Sequence, residues 1–350
     1  MSLTRIPKRV QGEWMTSKRR FLSALFGGRV DRIAVGNPSS IATVELMQES
    51  GAWFPEAHYE PNKIADLGTA THEFCGFDTI MPYYSVQIEA PALGCSMNWG
   101  DKDQMPDSTS KPFIEPEDID IPIDKYLQTS SLQALLEAIR ILRKRHPDVC
   151  IMGKCMGPWT LAYHGFGVQN FLLKTVLEPE KVHQALAKLK EYTIAFAREQ
   201  VKAGADVICV PDHATGDLVS PKMYRAFLPH LHQEITYRIG APSILHICGK
   251  MEKSFEAITT SGWDAFHWDT KNNPETLKTL AGNKISLIGG INDPQTLLRG
   301  TPEDVKREAV IAVKAGAAQV LAPECAIPTA VPVRNLQAIV EAAREISGLA

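Results

Sequence analysis

Nowhere in the 350 residues is there a run of about 18 apolar residues, the least that spans a bilayer as a helix. The first residues also lack the apolar core of about 7–15 residues that a secretion signal carries. These two absences predict a cytoplasmic protein with no membrane partner. A surplus of positive charge is missing as well. The 37 Lys and Arg against 40 Asp and Glu leave a net charge of −3, which offers no general attraction to a phosphate backbone. The one basic run, Met1 to Arg20, is interrupted by Glu13 and Trp14. It reads as a solvated arm leading into a helix, so nucleic acid is not an expected partner. Cysteine is sparse, and seven is an odd, scattered set that excludes the framework of a secreted disulfide-rich domain. Cys75, Cys95, Cys150 and Cys209 read as core or loop packing.

What is present is a regular alternation. Strand-like apolar runs fall at Ile33–Asn37, Asp78–Tyr84, Val149–Cys155, Asp206–Asp212, Ser243–Cys248, Ala265–Asp269, Ile285–Ile291 and Gln319–Ala322. Helical patterns follow them, among them Pro179–Ala203, Pro221–Ile239, Pro274–Leu280, Pro302–Ala315 and Val333–Ile346, several opened by proline and closed by glycine. Eight βα units without a change of composition predict one (β/α)8 barrel domain over residues 1–350, with residues 1–30 as an N-terminal arm and helix. The Asp- and Pro-rich stretch 94–125 is too long for a simple connection and reads as an excursion after the second strand, lying over the barrel.

In such a barrel the chemistry belongs at the C-terminal ends of the strands. Those ends carry Asn37, Tyr83, Tyr84, Lys154, Cys155, Asp212, His213, His246, Cys248, Asp269 and Asn292, with Cys325 just past the eighth. The fifth strand ends L-H-I-C-G. Residues two apart on a strand share a face, so His246 and Cys248 aim two soft donors at one point. Composition alone predicts only about 0.2 His-x-Cys pairs in such a chain. A catalytic zinc takes three protein ligands and an open position, and Cys325 in L-A-P-E-C-A-I-P is the best third, which puts the ion over the barrel axis. On the residues alone, buried packing of these three side chains stays open beside metal ligation. Asp212 and His213 serve either in the site or as caps of the following helix. Asp269 either fills or orients a fourth metal position or caps a helix. Tyr83, Tyr84, Trp159, Phe266 and Trp268 read either as walls of a pocket for a flat substrate, with Asn37 beside them, or as core.

Several stretches carry a family likeness. S-K-R-R-F-L-S-A-L-F-G-G-R-V-D-R-I-A-V, A-G-A-D-V-I-C-V-P-D-H, S-P-K-M-Y-R-A-F, L-H-I-C-G, G-T-P-E-D-V, L-A-P-E-C-A-I-P and P-V-R-N-L-Q-A-I-V together resemble the uroporphyrinogen decarboxylase superfamily over nearly the whole chain. H-I-C-G with the late cysteine, and G-A-W-F-P-E-A-H at Gly51–His58, are similar to its corrinoid-linked methyltransferase branch. The resemblance implies the same (β/α)8 barrel, with catalytic zinc held by His246, Cys248 and Cys325. It also implies a corrinoid supplied by a partner protein, since the chain has no D-x-H-x-x-G stretch and Asp212–His213 has the wrong spacing. True decarboxylases carry an arginine pair just after the first strand to clamp their acidic substrate, and this chain has N-P-S-S-I-A-T at Asn37–Thr43 instead.

Ser39–Ser40, Lys250 and Glu324–Cys325 stand where coenzyme M enzymes of the branch read Gln-Thr, Asn and Gly-Cys. The expectation is therefore transfer of a methyl group from an O-methyl donor, such as a methoxylated aromatic, to a Co(I) corrinoid protein, with zinc polarising the leaving heteroatom. Methyl transfer from a methylcobamide to a thiol such as coenzyme M is the alternative. A uroporphyrinogen decarboxylase or a non-catalytic tetrapyrrole binder is the second. A homo-oligomer is left open.

Overall fold

Eight short runs of extended backbone pair side by side, all parallel, in the computed structural model, which describes residues 3–102 and 104–349. Met1 and Ser2 of the arm, Asp103 of the excursion and Ala350 lie outside the described residues. The strands are β1 (Ala34–Val35), β2 (Thr79–Ile80), β3 (Cys150–Lys154), β4 (Val207–Pro211), β5 (Ser243–Ile247), β6 (Ala265–Trp268), β7 (Ser286–Ile291) and β8 (Val320–Pro323). Their order round the ring is β1-β8-β7-β6-β5-β4-β3-β2. The seam between β1 and β2 is closed by the Asp78 N–H on the Val35 carbonyl at 2.7 Å and by the Val35 N–H on Asp78 Oδ2 at 2.9 Å. This is the (β/α)8 barrel that the alternation predicts.

β1 and β2 are shorter than their sequence patterns. Pro38 and Pro82 follow within a few residues and offer no N–H to a neighbouring strand, so pairing stops. The helical pattern Pro221–Ile239 is two helices, Pro221–Phe227 and Pro229–Ile239, because Pro229 cannot donate to the preceding turn. Helices Pro179–Ala203 and Val333–Ile346 keep the bounds their periodicity gives.

The basic arm is solvated only in part. Arg20 lies on helix Ser17–Leu25 and is buried. Its guanidinium donates to Asp31 at 2.6 Å and to Asp78 at 2.7 Å. Arg32 donates to Glu13 and Asp78, each at 2.9 Å, and Arg344 donates to Glu13 at 2.8 Å. Three buried cations thus meet three carboxylates at the foot of β1 and β2, far from the strand ends where a barrel does chemistry. Within 94–125, a two-stranded hairpin pairs Met97–Asn98 with Asp107–Ser108. The Phe113 N–H then donates to the Gly165 carbonyl at 3.0 Å, and Tyr192 Oη donates to the Ile121 carbonyl at 2.8 Å. The excursion therefore leans on helix Pro158–Phe166, which follows β3, and on helix Pro179–Ala203. No helix among the described residues is long and apolar enough to cross a membrane.

Candidate metal centre

His246 is the fourth residue of β5 and pairs in register with His267 on β6. Cys248 follows two residues on and returns to the same face. Cys325 comes from the turn after β8, across the barrel mouth. Cys248 Sγ lies 3.2 Å from His246 Nε2 and 3.4 Å from Cys325 Sγ, and Cys325 Sγ lies 3.5 Å from His246 Nε2. This is the one group of His, Cys or carboxylate side chains in metal-ligand proximity found among the described residues.

Each corner of the triangle is fixed from behind. His246 Nδ1 donates to the His267 carbonyl at 3.2 Å, which leaves the Nε2 lone pair facing the two sulfurs. The His267 ring, 4.6 Å away centroid to centroid, donates from Nε2 to the Pro323 carbonyl at 2.7 Å and so ties β6 to the end of β8. Gly249 turns the chain after Cys248 with φ +83°, and a side chain there would meet Thr215 Oγ1 at 2.2 Å. Its N–H donates to Asp269 Oδ2 at 2.7 Å, while Asp269 Oδ1 accepts from the Lys271 N–H at 2.8 Å. The turn bearing Cys325 is held by Asp293, which accepts the Glu324 N–H at 3.2 Å and the Cys325 N–H at 3.1 Å. The Glu324 carboxylate points back into the structure and accepts from the Thr270 N–H and hydroxyl, Asn292 Nδ2 and the Asp293 N–H.

The two thiols divide their charge unequally. The hydrogen bond from Cys248 holds the Cys325 thiol well below the usual cysteine range. The same contact, with burial, pushes Cys248 up. An imidazole nitrogen and two cysteine sulfurs are soft donors. Zinc takes sulfur at about 2.3 Å and nitrogen at about 2.0 Å, so a tetrahedral site has ligand–ligand edges of about 3.5–3.8 Å. The observed edges fall within a few tenths of an ångström of that figure. The donor set fits zinc.

The other residues singled out from the sequence separate into distinct places. Asp212 is fully buried and accepts from His232 Nε2 at 2.9 Å and from the Thr160 N–H at 3.0 Å. It joins β4 to helices Pro158–Phe166 and Pro229–Ile239 and does not cap the helix that follows it. His213 stands edge-on to His246 with ring centroids 6.5 Å apart, and burial pushes its imidazole down to about 4. Asp269 serves the Cys248 turn. Asn37 shapes the turn after β1, accepting the Ser39 N–H at 2.9 Å. Tyr83 donates to Glu89 Oε1 at 2.9 Å. Tyr84 reaches the other way, donating to the Ile64 carbonyl of helix Pro61–Ala70 at 2.9 Å. Trp159 packs against Tyr163, Phe171 and Phe227. Trp268 donates to the Ala317 carbonyl at 2.9 Å, and Phe266 packs edge-on against Phe255 of helix Phe255–Thr259. Trp268, Phe266 and Tyr84 thus stand in the layer between strands and helices and do not wall the mouth. Cys75, Cys95, Cys150 and Cys209 are buried and form no disulfide among the described residues.

Sequence reasoning missed several groups that build this end of the barrel. His232 and Gln200 lie on helices, Asp293 opens the short helix Asp293–Leu297, and Thr270 and Glu89 lie in turns, so no strand periodicity marks them. Buried Glu89 accepts from Tyr83 Oη, from Tyr126 Oη at 2.6 Å and from the Met156 N–H at 2.7 Å, and burial raises its carboxyl to about 7.

A barrel with an imidazole and two sulfurs converging at the C-terminal ends of its strands defines a class of metal-capable (β/α)8 enzymes. The family model described as Uroporphyrinogen decarboxylase (URO-D) matches residues 16–346. The chain is 36% identical over 336 residues to the methylcobamide:CoM methyltransferase MtaA of Methanosarcina barkeri, covering 94% of this chain and 98% of that one. It is 34% identical to the methylated-thiol–coenzyme M methyltransferase of Methanosarcina mazei, covering 95% and 90%. A solved methyltransferase from Methanosarcina mazei superimposes with a TM-score of 0.90 at 33% identity, covering 95% of this chain and 99% of that one. The chain belongs to the uroporphyrinogen decarboxylase family, in its corrinoid-linked methyltransferase branch.

Proposed function

We propose that the protein transfers a methyl group from a methylated corrinoid protein to a small thiol, with zinc held by His246, Cys248 and Cys325. The reading rests on the triangle of Nε2 and two Sγ atoms with edges of 3.2–3.5 Å at the mouth of the barrel. The relatives named for methyl transfer involving coenzyme M support a thiol acceptor over an O-methyl donor. Trp268, Phe266 and Tyr84 pack outward, which leaves only Tyr83 and Trp159 of the five aromatics as candidate walls for a flat O-methyl donor.

Zinc, when bound, supplies Lewis acidity that favours the ionised form of a thiol at its open position. The protein's own part is to hold the donors rigid. The His267 carbonyl keeps His246 in the tautomer whose Nε2 is free, Asp269 sets the turn of Cys248, and Asp293 sets that of Cys325. His213 stays neutral beside the imidazole and adds no positive charge to the pocket. In the transfer itself the acceptor sulfur forms a bond to the methyl carbon as the carbon–cobalt bond breaks. The electron pair stays on cobalt to give Co(I), and the thiol proton passes to solvent. The corrinoid comes from a separate protein, because Asp212, the nearest candidate for a corrinoid motif, is committed to His232 and Thr160.

The test follows methylcobalamin absorbance with purified protein, zinc and 2-mercaptoethanesulfonate. Loss of the methylcobalamin spectrum that stops on chelation supports the reading. Methylation of cob(I)alamin by methoxybenzoates, with no thiol-dependent demethylation, would return the O-methyl reading in its place.

A further inference from the structure

The chain carries seven cysteines, and five of them are sealed from solvent. Cys75, Cys95, Cys150, Cys155 and Cys209 are buried, whereas Cys248 and Cys325 are part-exposed. The two that a solute can reach are also the two that touch: Cys248 Sγ lies 3.4 Å from Cys325 Sγ. The reactivity of a thiol follows its access, so the reachable sulfur of this protein comes as a pair.

The proposed zinc uses these sulfurs one by one, and their mutual distance allows a second chemistry. A disulfide has an S–S distance of about 2.05 Å, so closure asks the two sulfurs to approach by about 1.4 Å. Neither residue lies inside a strand or a helix. Cys248 follows the last residue of β5 and precedes Gly249, whose φ of +83° turns the chain. Cys325 lies in a bend two residues beyond the end of β8. Side-chain rotation at two loop positions can therefore supply the approach, while Asp269 and Asp293 keep their hold on the Gly249 and Cys325 N–H groups.

We infer that Cys248 and Cys325 form a reversible exchange site for small disulfides, and that the disulfide of the acceptor thiol is its natural reagent. One sulfur attacks the small disulfide R–S–S–R, forming a mixed disulfide and releasing one R–SH. The second sulfur, 3.4 Å away, attacks the protein sulfur of that bond, forms the Cys248–Cys325 link and releases the second R–SH. The two protein thiol protons leave with the two R–SH, the protein pair is oxidised, the small disulfide is reduced, and no other oxidant enters. The linked protein keeps only His246 of the three donors, which does not hold zinc. Excess R–SH runs the sequence backward and reopens the site, so the ratio of thiol to disulfide sets the fraction of protein able to bind metal. The exchange itself rests on the sulfur pair; naming the acceptor's disulfide as its reagent rests on the thiol-acceptor reading above.

The experiment exposes the purified full chain, with its metal and after chelation, to the disulfides of 2-mercaptoethanesulfonate and of 2-mercaptoethanol. Thiols are counted after denaturation, linked peptides are mapped by mass spectrometry, and released zinc is read with a chromogenic indicator. The expected result is a thiol count that falls from seven by two, a peptide pair joining Cys248 to Cys325, and one zinc released per link where zinc was bound. Excess 2-mercaptoethanesulfonate should restore all seven thiols. Cys248→Ser and Cys325→Ser should each stop at a mixed disulfide on the remaining sulfur, seen as the added mass of one R–S group. A wild type that keeps the mixed disulfide, that links other cysteines, or that retains seven thiols after chelation would each overturn the inference. The wild-type peptide map decides even where a variant does not fold. Failure of the parent readings looks different. A chain that links Cys248 to Cys325 but purifies without zinc and takes none up loses the metal reading and keeps the exchange. A chain that links them but demethylates methylcobalamin with no thiol loses only the acceptor's disulfide as the natural reagent.

Discussion

Asp293 grips two consecutive backbone N–H groups of the β8 turn, and the second belongs to a cysteine of the donor triangle: Asp293 Oδ2 lies 3.1 Å from the Cys325 nitrogen. The carboxylate touches neither sulfur nor imidazole through its own atoms. It sets where Cys325 Sγ sits, and through that the third edge of the donor triangle.

Asp293→Ala should therefore weaken zinc binding about 10- to 100-fold, the usual effect of losing a group that orients a ligand, while the barrel stays folded. Competition with a chromogenic chelator measures the affinity, and circular dichroism the fold. An unchanged zinc affinity would remove Asp293 from the site.

His246→Ala, Cys248→Ala and Cys325→Ala each delete one of three donors, and two protein ligands do not hold a catalytic zinc. Each variant should purify folded and lose more than about 90% of its zinc on dialysis. Metal analysis of the dialysed protein is the check. Full zinc in Cys325→Ala would mean that the third ligand lies elsewhere.

The Asp212–His232 pair is a matter of stability. Both side chains are fully buried, and Asp212→Ala removes the bonds to His232 Nε2 and the Thr160 N–H together. The expected loss is about 3 kcal/mol, read from the urea midpoint. A double-mutant cycle with His232→Phe should show strong coupling. Additive effects would mean that the two residues act separately.

Acid should unfold the protein through its buried histidines. Burial pushes His58 and His164 from 6.5 down to about 3. Below pH 6.5 the unfolded chain takes up these protons while the folded chain does not, so stability is full above that pH and is lost as pH falls toward 3. At pH 5 each contributes a loss of about 2 kcal/mol. His58 stacks on Phe54 at 4.0 Å, and both its ring nitrogens lack partners among the described residues, so His58→Phe should keep the stack and flatten the pH slope by about one proton. Urea titrations at pH 7.5 and pH 5 measure the slope. An equal slope in the variant would assign the acid loss to other groups.

The barrel was legible because each strand is an apolar run bracketed by proline and glycine, and because β3 to β8 are buried along almost their whole length. The first two strands are shorter than their apolar runs, which reach Asn37 before Pro38 and Tyr84 beyond Pro82; backbone pairing stops before each proline, and the hydrophobic pattern does not mark that. At the site, His246 and Cys248 were readable from a spacing of two on one strand. The meeting with Cys325 came from the order of strands round the ring. Direction of the aromatic rings was not readable. Phe266 and Trp268 flank His267, and whether the aromatics or the histidine face the axis depends on the phase of the strand, which hydrophobicity does not fix when both faces are buried. The carboxylate braces were hidden for another reason: Asp293 and Glu324 act by accepting backbone N–H groups of neighbouring loops, which leaves no periodic trace.

The positions of the three ligands along the chain also set an order in time. Cys248 and Cys325 are 77 residues apart, and at a ribosomal pace of about 5–20 residues per second the third ligand emerges about 4–15 seconds after the first two. Until β8 has been synthesised and docked, a nascent chain offers an imidazole and one sulfur, a site open to any soft ion. Under the proposed zinc reading, ligation by Cys325 across the mouth follows the docking of β8 between β7 and β1, so metal loading would report completion of the ring.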